Sequence, residues 1–321
     1  MIIDVLRPGL QTTLQDRGRF GCAMLGVGTA GAMDDVASRL ANALAGNAPD
    51  APLLEIALTG PTLRFDAAAT IALTGAECTL RSGEESLPMW QPVAIPAGST
   101  VEIGRARRGA RAYLAIAGTF AVAPTLGSVA TDVAARLGGA ALREGDRIEI
   151  VASDGTGTPM HRTRRRWSLD PSPWFDADAS QPIRVIRGAH FDALDAASRA
   201  SLFDATFRIA ADSNRVGYRL DGSPLALAAP LELVSEPLAI GTLQLPPGGQ
   251  PIVLMAEHPT VGGYPRIGQV ATVDLPHLAQ RRPGDPVRFA EIDLGAAQTR
   301  YLERERELAR MIDAIRERLI S

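Results

Sequence analysis

The sequence predicts a mainly β protein made of two related β-barrel halves, with a few short helices and one amphipathic helix at its C-terminal end. Three observations predict it. Between 53 and 150 the apolar residues fall in short runs, at 54–58, 71–74, 93–95, 101–103, 112–117 and 148–151, broken by Gly, Pro or Ser. Runs of that length and spacing are strands of a barrel or sandwich, because alternating βαβ units would need a helix between most of them. Second, the halves repeat. Residues 55–60 match 236–241 and residues 71–76 match 252–257, both at a shift of 181, while 127–132 resembles 268–273 and Gly145-Asp146-Arg147-Ile148 resembles Gly284-Asp285-Pro286-Val287. The later pairs are about 140 apart, so the copies interleave rather than follow in tandem. Third, a sustained helical period appears over 295–321, where Leu302, Leu308, Met311, Ile312, Ile315 and Leu319 form one stripe that docks on its own domain or on a partner.

Taken in order, 2–6 is a strand, and 7–21 reads as a loop rich in glycine and hydrogen-bonding side chains. Within it Asp16 stands beside Arg17 and near Arg19, either as a structural ion pair on a turn or as a substrate-binding cluster. Gly31-Ala32-Met33-Asp34 leads into a helix over 35–44 in which Val36, Leu40 and Leu44 recur at helical spacing before Gly46 ends it. The stretch 152–181 is the natural linker, and its arginine run at 162–166 is a solvated strip. After it come a strand over 183–186, a short helix over 191–203, and Ile209 leading into residues 212–220. The domains are therefore 1–151, a linker over 152–181, 182–294, and a terminal helix over 295–321.

Composition narrows the function. A chain of 321 residues with 46% hydrophobic content fills one large core or two ordinary ones, and the repeat favours two. The net charge of -3 gives no basic face for nucleic acid or an anionic membrane. Asp4 and Pro8 stand where a signal peptide needs its apolar core, and no run of about 18 apolar residues occurs, so a cytoplasmic, membrane-free protein is expected. Cys22 and Cys78 lack a C-x-x-C partner, which suits a reducing compartment. There is no lysine, so all 33 basic residues are arginine. That excludes a P-loop lysine, a Schiff base, and covalent biotin or lipoyl on this chain.

The four histidines, His161, His190, His258 and His277, show no ligand spacing, and a metal site is not expected. No G-x-S-x-G elbow occurs, and the G-x-G-x-x-G shape of 26–31 follows no strand. The reagents left are carboxylates, an imidazole, guanidinium groups and glycine-rich backbone. They concentrate at 250–275. An apolar run over 252–256 delivers Glu257 and His258 into a loop with Pro259, Gly262, Gly263, Tyr264 and Pro265, before a second apolar run from Ile267. This is either a small-molecule site or a well-made turn. Upstream, Arg215 and Tyr218 are a substrate contact or a buried turn bridging strands.

The segments Pro8-Gly9-Leu10-Gln11-Thr12-Thr13-Leu14-Gln15-Asp16-Arg17-Gly18-Arg19, Gly31-Ala32-Met33-Asp34, 212–220 and 254–265 resemble, in order, the signature blocks of the allophanate hydrolase subunit 2 family. This is also called the biotin-dependent carboxyltransferase family, and its best-defined bacterial members are the C components of 5-oxoprolinase. The likeness runs from residue 1 to about 297. It departs at Glu257-His258-Pro259-Thr260, where the family often has Asp-Arg-Gln-Thr, and at Asn214, often an aspartate. The resemblance implies two cyclophilin-like β-barrel domains. It implies the C component of a 5-oxoprolinase, which acts with an A component and an allophanate hydrolase subunit 1-like B component to open 5-oxo-L-proline to L-glutamate at the expense of ATP. The ATP site is unassigned or shared with the B component. Two other activities come with it: carboxyl transfer from carboxybiotin on another chain, as in urea amidolyase, and binding of a kinase-inhibitor protein without catalysis. For a lactam opened through phosphorylation, the expected roles are Glu257, His258 or Asp16 as base. Arg215, Tyr218, Arg17, Asn214, Gln244, Tyr264 and the Gly262 and Gly263 amides are expected to bind substrate or phosphate.

Overall fold

The structure, a computed structural model, describes residues 1–151, 167–175 and 181–320. Strands form where the short apolar runs lie, and the chain divides into two compact units, each with its own core. The protein is mainly β, with several sheets, few helices and a long terminal helix, Leu294–Ile320.

The first unit comprises Met1–Gly18, Asp34–Ala177 and Leu308–Ser321. Its seven-stranded sheet runs Thr119–Phe120, Arg147–Val151, Ile2–Arg7, Thr62–Phe65, Thr100–Ile103, Leu80–Ser82, Glu85–Leu87. Its five-stranded sheet runs Gln11–Gln15, Leu53–Ala57, Arg108–Ile116, Ala69–Glu77, Val93–Ile95. Ile3, Val5, Leu63 and Phe65 of the first meet Leu54, Ile56, Leu73 and Leu114 of the second in one buried cluster. The Asp35–Ala45 helix forms as its sequence dictates, with the Asp34 carboxylate accepting the Ala37 N–H at its start and the Gly46 N–H donating to Asn42 and Ala43 carbonyls at its end. Cys78 packs against this core, and burial pushes its thiol up to about 12.

Several sequence expectations change. Residues 11–15, expected within a loop, form a strand paired with Leu53–Ala57. Its buried Thr12, Thr13 and Gln15 are polar and make hydrogen bonds of their own: Thr12 Oγ1 donates to the Pro8 carbonyl (2.7 Å), and Gln15 Nε2 donates to Thr13 Oγ1 (3.0 Å) and to the Thr131 carbonyl (2.8 Å). A strand whose inward residues hydrogen-bond carries no apolar alternation. Residues 167–175, expected in the linker, are packed: Leu169, Trp174 and Phe175 are buried, and the Leu169 N–H donates to the Trp90 carbonyl (2.8 Å). The rest of that linker through 180, with the arginine run and His161, lies outside the described residues. The helix expected over 191–203 is a 3-10 turn, Phe191–Ala193, followed by a helix, Ala196–Asp204. Leu194 is extended at ψ 147, and Asp195 caps the new helix by accepting the Ser198 N–H (2.6 Å).

The second unit comprises Arg19–Met33 and Asp178–Glu307. Its eight-stranded sheet runs Pro286–Val287, Phe207–Ile209, Gly217–Asp221, Ile252–Leu254, Thr242–Gln244, Arg266–Val270, Ile183–Arg187, Phe289–Glu291. The two outermost strands are consecutive in sequence with only Arg288 between them, so the sheet curls into a nearly closed barrel around Val185, Phe207, Leu243, Val253 and Ile267. A small hairpin, Glu236–Pro237 with Val261–Gly262, forms a separate two-stranded sheet.

Two turns, one in each unit, share their backbone detail. In each unit a Gly with positive φ, Gly145 at 84° and Gly284 at 88°, takes the third position of a tight turn. In each, the Asp that follows accepts from the Arg N–H at the turn's start, Arg143 to Asp146 (2.7 Å) and Arg282 to Asp285 (2.8 Å). In the terminal helix Ala297, Leu308, Ile312 and Ile315 are buried, but Leu302 is 51% exposed. Six residues from Leu308, it sits about 120° off the stripe. Among the described residues no helix is long and apolar enough to cross a membrane.

Candidate functional site

Beyond strand Ile252–Leu254 the chain keeps its partner: the Met255 N–H donates to the Val216 carbonyl (3.0 Å) and the Glu257 N–H to the Arg215 carbonyl (2.8 Å). This places the two side chains together. Arg215 Nε donates to Glu257 Oε1 at 2.5 Å, both side chains are 3% exposed, and Arg215 Nη2 donates to the Gly31 carbonyl (2.8 Å). The Ala30 N–H adds a bond to the Ala256 carbonyl (3.0 Å), so segment 30–31 is tied to the loop through both the guanidinium and the backbone. The carboxylate and the guanidinium thus form a buried ion pair. His258 is buried beside it and its Nδ1 donates to the Pro259 carbonyl (2.8 Å), which leaves Nε2 as the ring nitrogen not engaged by this bond.

Asn214 lies in the loop before strand Gly217–Asp221 and Tyr218 within that strand. The exposed Asn214 accepts the Val216 N–H on its Oδ1 (2.8 Å), and the buried Tyr218 hydroxyl donates to the Ala279 carbonyl (3.2 Å). Tyr264 is 47% exposed at the far end of the loop.

A second cluster lies where Thr242–Gln244 meets Arg266–Val270. Gln244 and Arg266 are directly opposite across this ladder, and so share a face. Over that face lies the hairpin in which Glu236 and Gly262 are themselves opposite. Arg266 Nη2 makes an ion pair with Glu236 Oε2, and a Cβ built on Gly262 would stand 3.1 Å from Gln244 Nε2. His190 backs Arg266 by donating its N–H to the Arg266 carbonyl (3.0 Å) and accepting the Arg266 N–H on Nδ1 (3.1 Å). Gly263 follows in the same loop, with the Leu233 carbonyl 3.6 Å from where its Cβ would be. Sequence reasoning picked out Gln244, Gly262 and Gly263 but missed Arg266, Glu236 and His190. The available signal was Glu236, which the repeat aligns with Glu55.

In the first unit Asp16 is a loop clamp. Its Oδ1 accepts from the Gly18 N–H (2.7 Å) and Ser128 Oγ (2.6 Å), and its Oδ2 from the Val129 N–H (2.8 Å). Arg17 is exposed. Elsewhere in that unit the Tyr113 hydroxyl donates to Glu55 Oε2 (3.0 Å) and accepts the Asp34 N–H (2.8 Å), with Arg111 Nη1 3.4 Å from Glu55 Oε1. Burial, then the nearby Glu55 and Asp34, hold the Tyr113 phenol well above its ordinary range, so it stays a hydrogen-bond donor. Among the described residues no group of three or more His, Cys, Asp and Glu is placed to hold a metal ion.

The family described as carboxyltransferase domain, subdomain A and B, matches residues 25–291. The C component of 5-oxoprolinase from Escherichia coli is 36% identical over 311 residues, covering 94% of this chain and 97% of that protein. That of Haemophilus influenzae is 34% identical over 318 residues, covering 98% of each. The crystal structure of the K. lactis urea amidolyase superposes on 98% of this chain and 20% of that one, with a TM-score of 0.86 and 26% identity.

Proposed function

This chain belongs to the carboxyltransferase family of subdomains A and B, and from that membership we propose that it is the C component of an ATP-dependent 5-oxoprolinase. In this reading it opens 5-oxo-L-proline to L-glutamate together with the A and B components. One observation carries the choice: the match to the 5-oxoprolinase C component runs end to end on both proteins, 94% and 97%, whereas the urea amidolyase match takes up 20% of that chain. The twin Gly145 and Gly284 turns support reading the two units as a duplicated pair of cyclophilin-like barrels. The superposition on urea amidolyase favours a second reading, carboxyl transfer from carboxybiotin. With no lysine here, that biotin would be carried by another chain.

A lactam is a weak electrophile, so hydrolysis driven by ATP calls for activation of its carbonyl oxygen and a base for water. His258 Nε2 is our choice of base, with the Arg215–Glu257 pair fixing the loop that presents it. Gln244, Arg266 and the Gly262–Gly263 backbone supply donors to substrate. Residues 26–31 do not make a phosphate cradle, since a 3-10 turn, Ala23–Leu25, precedes them where a nucleotide-binding loop has a strand. We therefore place no step of ATP chemistry on this chain.

Reconstitution tests the proposal. The isolated chain is expected to show no ATP-dependent turnover of 5-oxo-L-proline, and its mixture with the A and B components to show it. Turnover by the chain alone would overturn the division of labour. A stable complex that carboxylates an acceptor from carboxybiotin and leaves 5-oxo-L-proline untouched would establish the second reading instead.

A further inference from the structure

We infer that Gln244 and Arg266 form a recognition site for the carbonyl oxygen of a cyclic amide or cyclic urea, covered in this structure by a strap, residues 231–238, that carries Glu236. Gln244 is 5% exposed, yet its amide nitrogen, like Arg266 Nε, is buried and has no hydrogen-bond partner among the described residues. Buried donors are normally satisfied, because an unmet one forfeits its hydration without return. The two donors stand on residues that are partners in one ladder, on the same face, so that one acceptor placed over that face serves both.

Charge selects the acceptor. Arg266 is already paired with Glu236, so the cluster is neutral, and a carboxylate or phosphate would bring a second negative charge beside Glu236. A neutral carbonyl does not. Lactams and ureido rings both offer one with strong acceptor character.

Access runs under the strap. Leu231 and Val234 are exposed, and the strap is held by the pairs Glu236 with Gly262 and Pro237 with Val261, by the Leu238 N–H donating to the Thr260 carbonyl (2.9 Å), and by the Arg266–Glu236 ion pair. So few tethers mark a segment that opens at low cost. Gly262 is the residue that lets the strap close over Gln244, since any Cβ there would stand 2.8 Å from Leu238 Cδ1 and 3.1 Å from the Gln244 amide nitrogen.

The site stands on this geometry, and only the choice of a lactam as its ligand rests on the 5-oxoprolinase reading. Titration calorimetry on the full chain with 5-oxo-L-proline, 2-imidazolidinone and L-proline tests it. L-Proline, which has no ring carbonyl, is expected not to bind. Binding of 5-oxo-L-proline identifies a lactam ligand, and binding of 2-imidazolidinone alone identifies a ureido ring such as that of biotin. Gln244→Leu is expected to weaken the binding at least about 10-fold while leaving the melting temperature unchanged or raised, because an apolar group replaces a donor without a partner. Arg266→Met, at a half-exposed position, gives an independent reading of the same loss. Binding of neither cyclic probe, equal binding of L-proline, or undiminished affinity in both variants would overturn the site. In the assembled enzyme the two proposals separate. Full turnover with Gln244→Leu removes the site and keeps the oxoprolinase reading, whereas 2-imidazolidinone binding to a chain whose complex ignores 5-oxo-L-proline does the reverse.

Discussion

Replacing Arg215 with methionine is expected to destabilise the second unit by about 3 kcal/mol or more, because it removes the guanidinium paired with the buried Glu257 carboxylate and the donor to the Gly31 carbonyl. Glu257→Gln is expected to be nearly as costly, since the guanidinium stays buried and charged. The double replacement Arg215→Met with Glu257→Leu should recover most of the loss, as a buried pair exchanged for apolar groups of similar size is often neutral. The measurement must be chosen with care. Trp90, Trp167 and Trp174 all lie in the first unit, so a probe located in the second unit is needed. Urea unfolding followed by circular dichroism, or hydrogen exchange of the strands 252–254 and 266–270, reads it. A double variant less stable than either single one, or single variants within about 0.5 kcal/mol of the parent, would show that the pair is not the keystone of its loop.

The second expected result concerns alkaline pH. With no lysine in the chain, side chains titrating between about pH 9 and 11 are thiols and phenols. The Cys78 thiol is raised from 9.0 to about 12, and the Tyr113 phenol is held well above 10.0, both through burial first. In each case the native state keeps a proton that the unfolded chain gives up. The stabilisation is therefore complete below the unfolded value and is lost as pH rises, by about 1.4 kcal/mol per pH unit for each group. The first unit is expected to be insensitive to pH up to about 9, to weaken above it through Cys78, and to weaken more steeply above about 10 as Tyr113 joins. Urea midpoints followed by tryptophan fluorescence check this. Cys78→Ala should remove the first segment and Tyr113→Phe the steepening, whereas a midpoint flat to pH 11 would contradict both.

How much of this was legible in the sequence depended on whether neighbours in the chain or across a ladder decide the outcome. The helix at 35–45 could be read because its cap, its apolar positions and its terminating glycine are consecutive. The strands at 71–74 and 112–116 could be read because they are buried on both faces and mostly apolar. Gln11–Gln15 could not, since its polar residues are matched by the Pro8 and Thr131 carbonyls, one of them more than a hundred positions away. Glu257 and His258 stood out as a charged pair in a glycine-rich loop, but the guanidinium that holds Glu257 comes from Arg215, 42 residues earlier. For the Gln244 cluster the information lies in register. Only the pairing of 244 with 266 and of 236 with 262 brings an amide, a guanidinium and a carboxylate to one spot, and no local pattern encodes that pairing.

The near-closure of the second unit's barrel sets an order on how the chain can fold as it leaves the ribosome. Both outermost strands, Pro286–Val287 and Phe289–Glu291, come from one six-residue piece that pairs backwards with 207–208 and 183–185. Until that piece has emerged, two strands made long before it, Phe207–Ile209 and Ile183–Arg187, each expose an unpaired edge. A nascent chain halted anywhere before 286 thus carries two templates for pairing with another copy, and its last synthesised strands act as a zip that closes both at once.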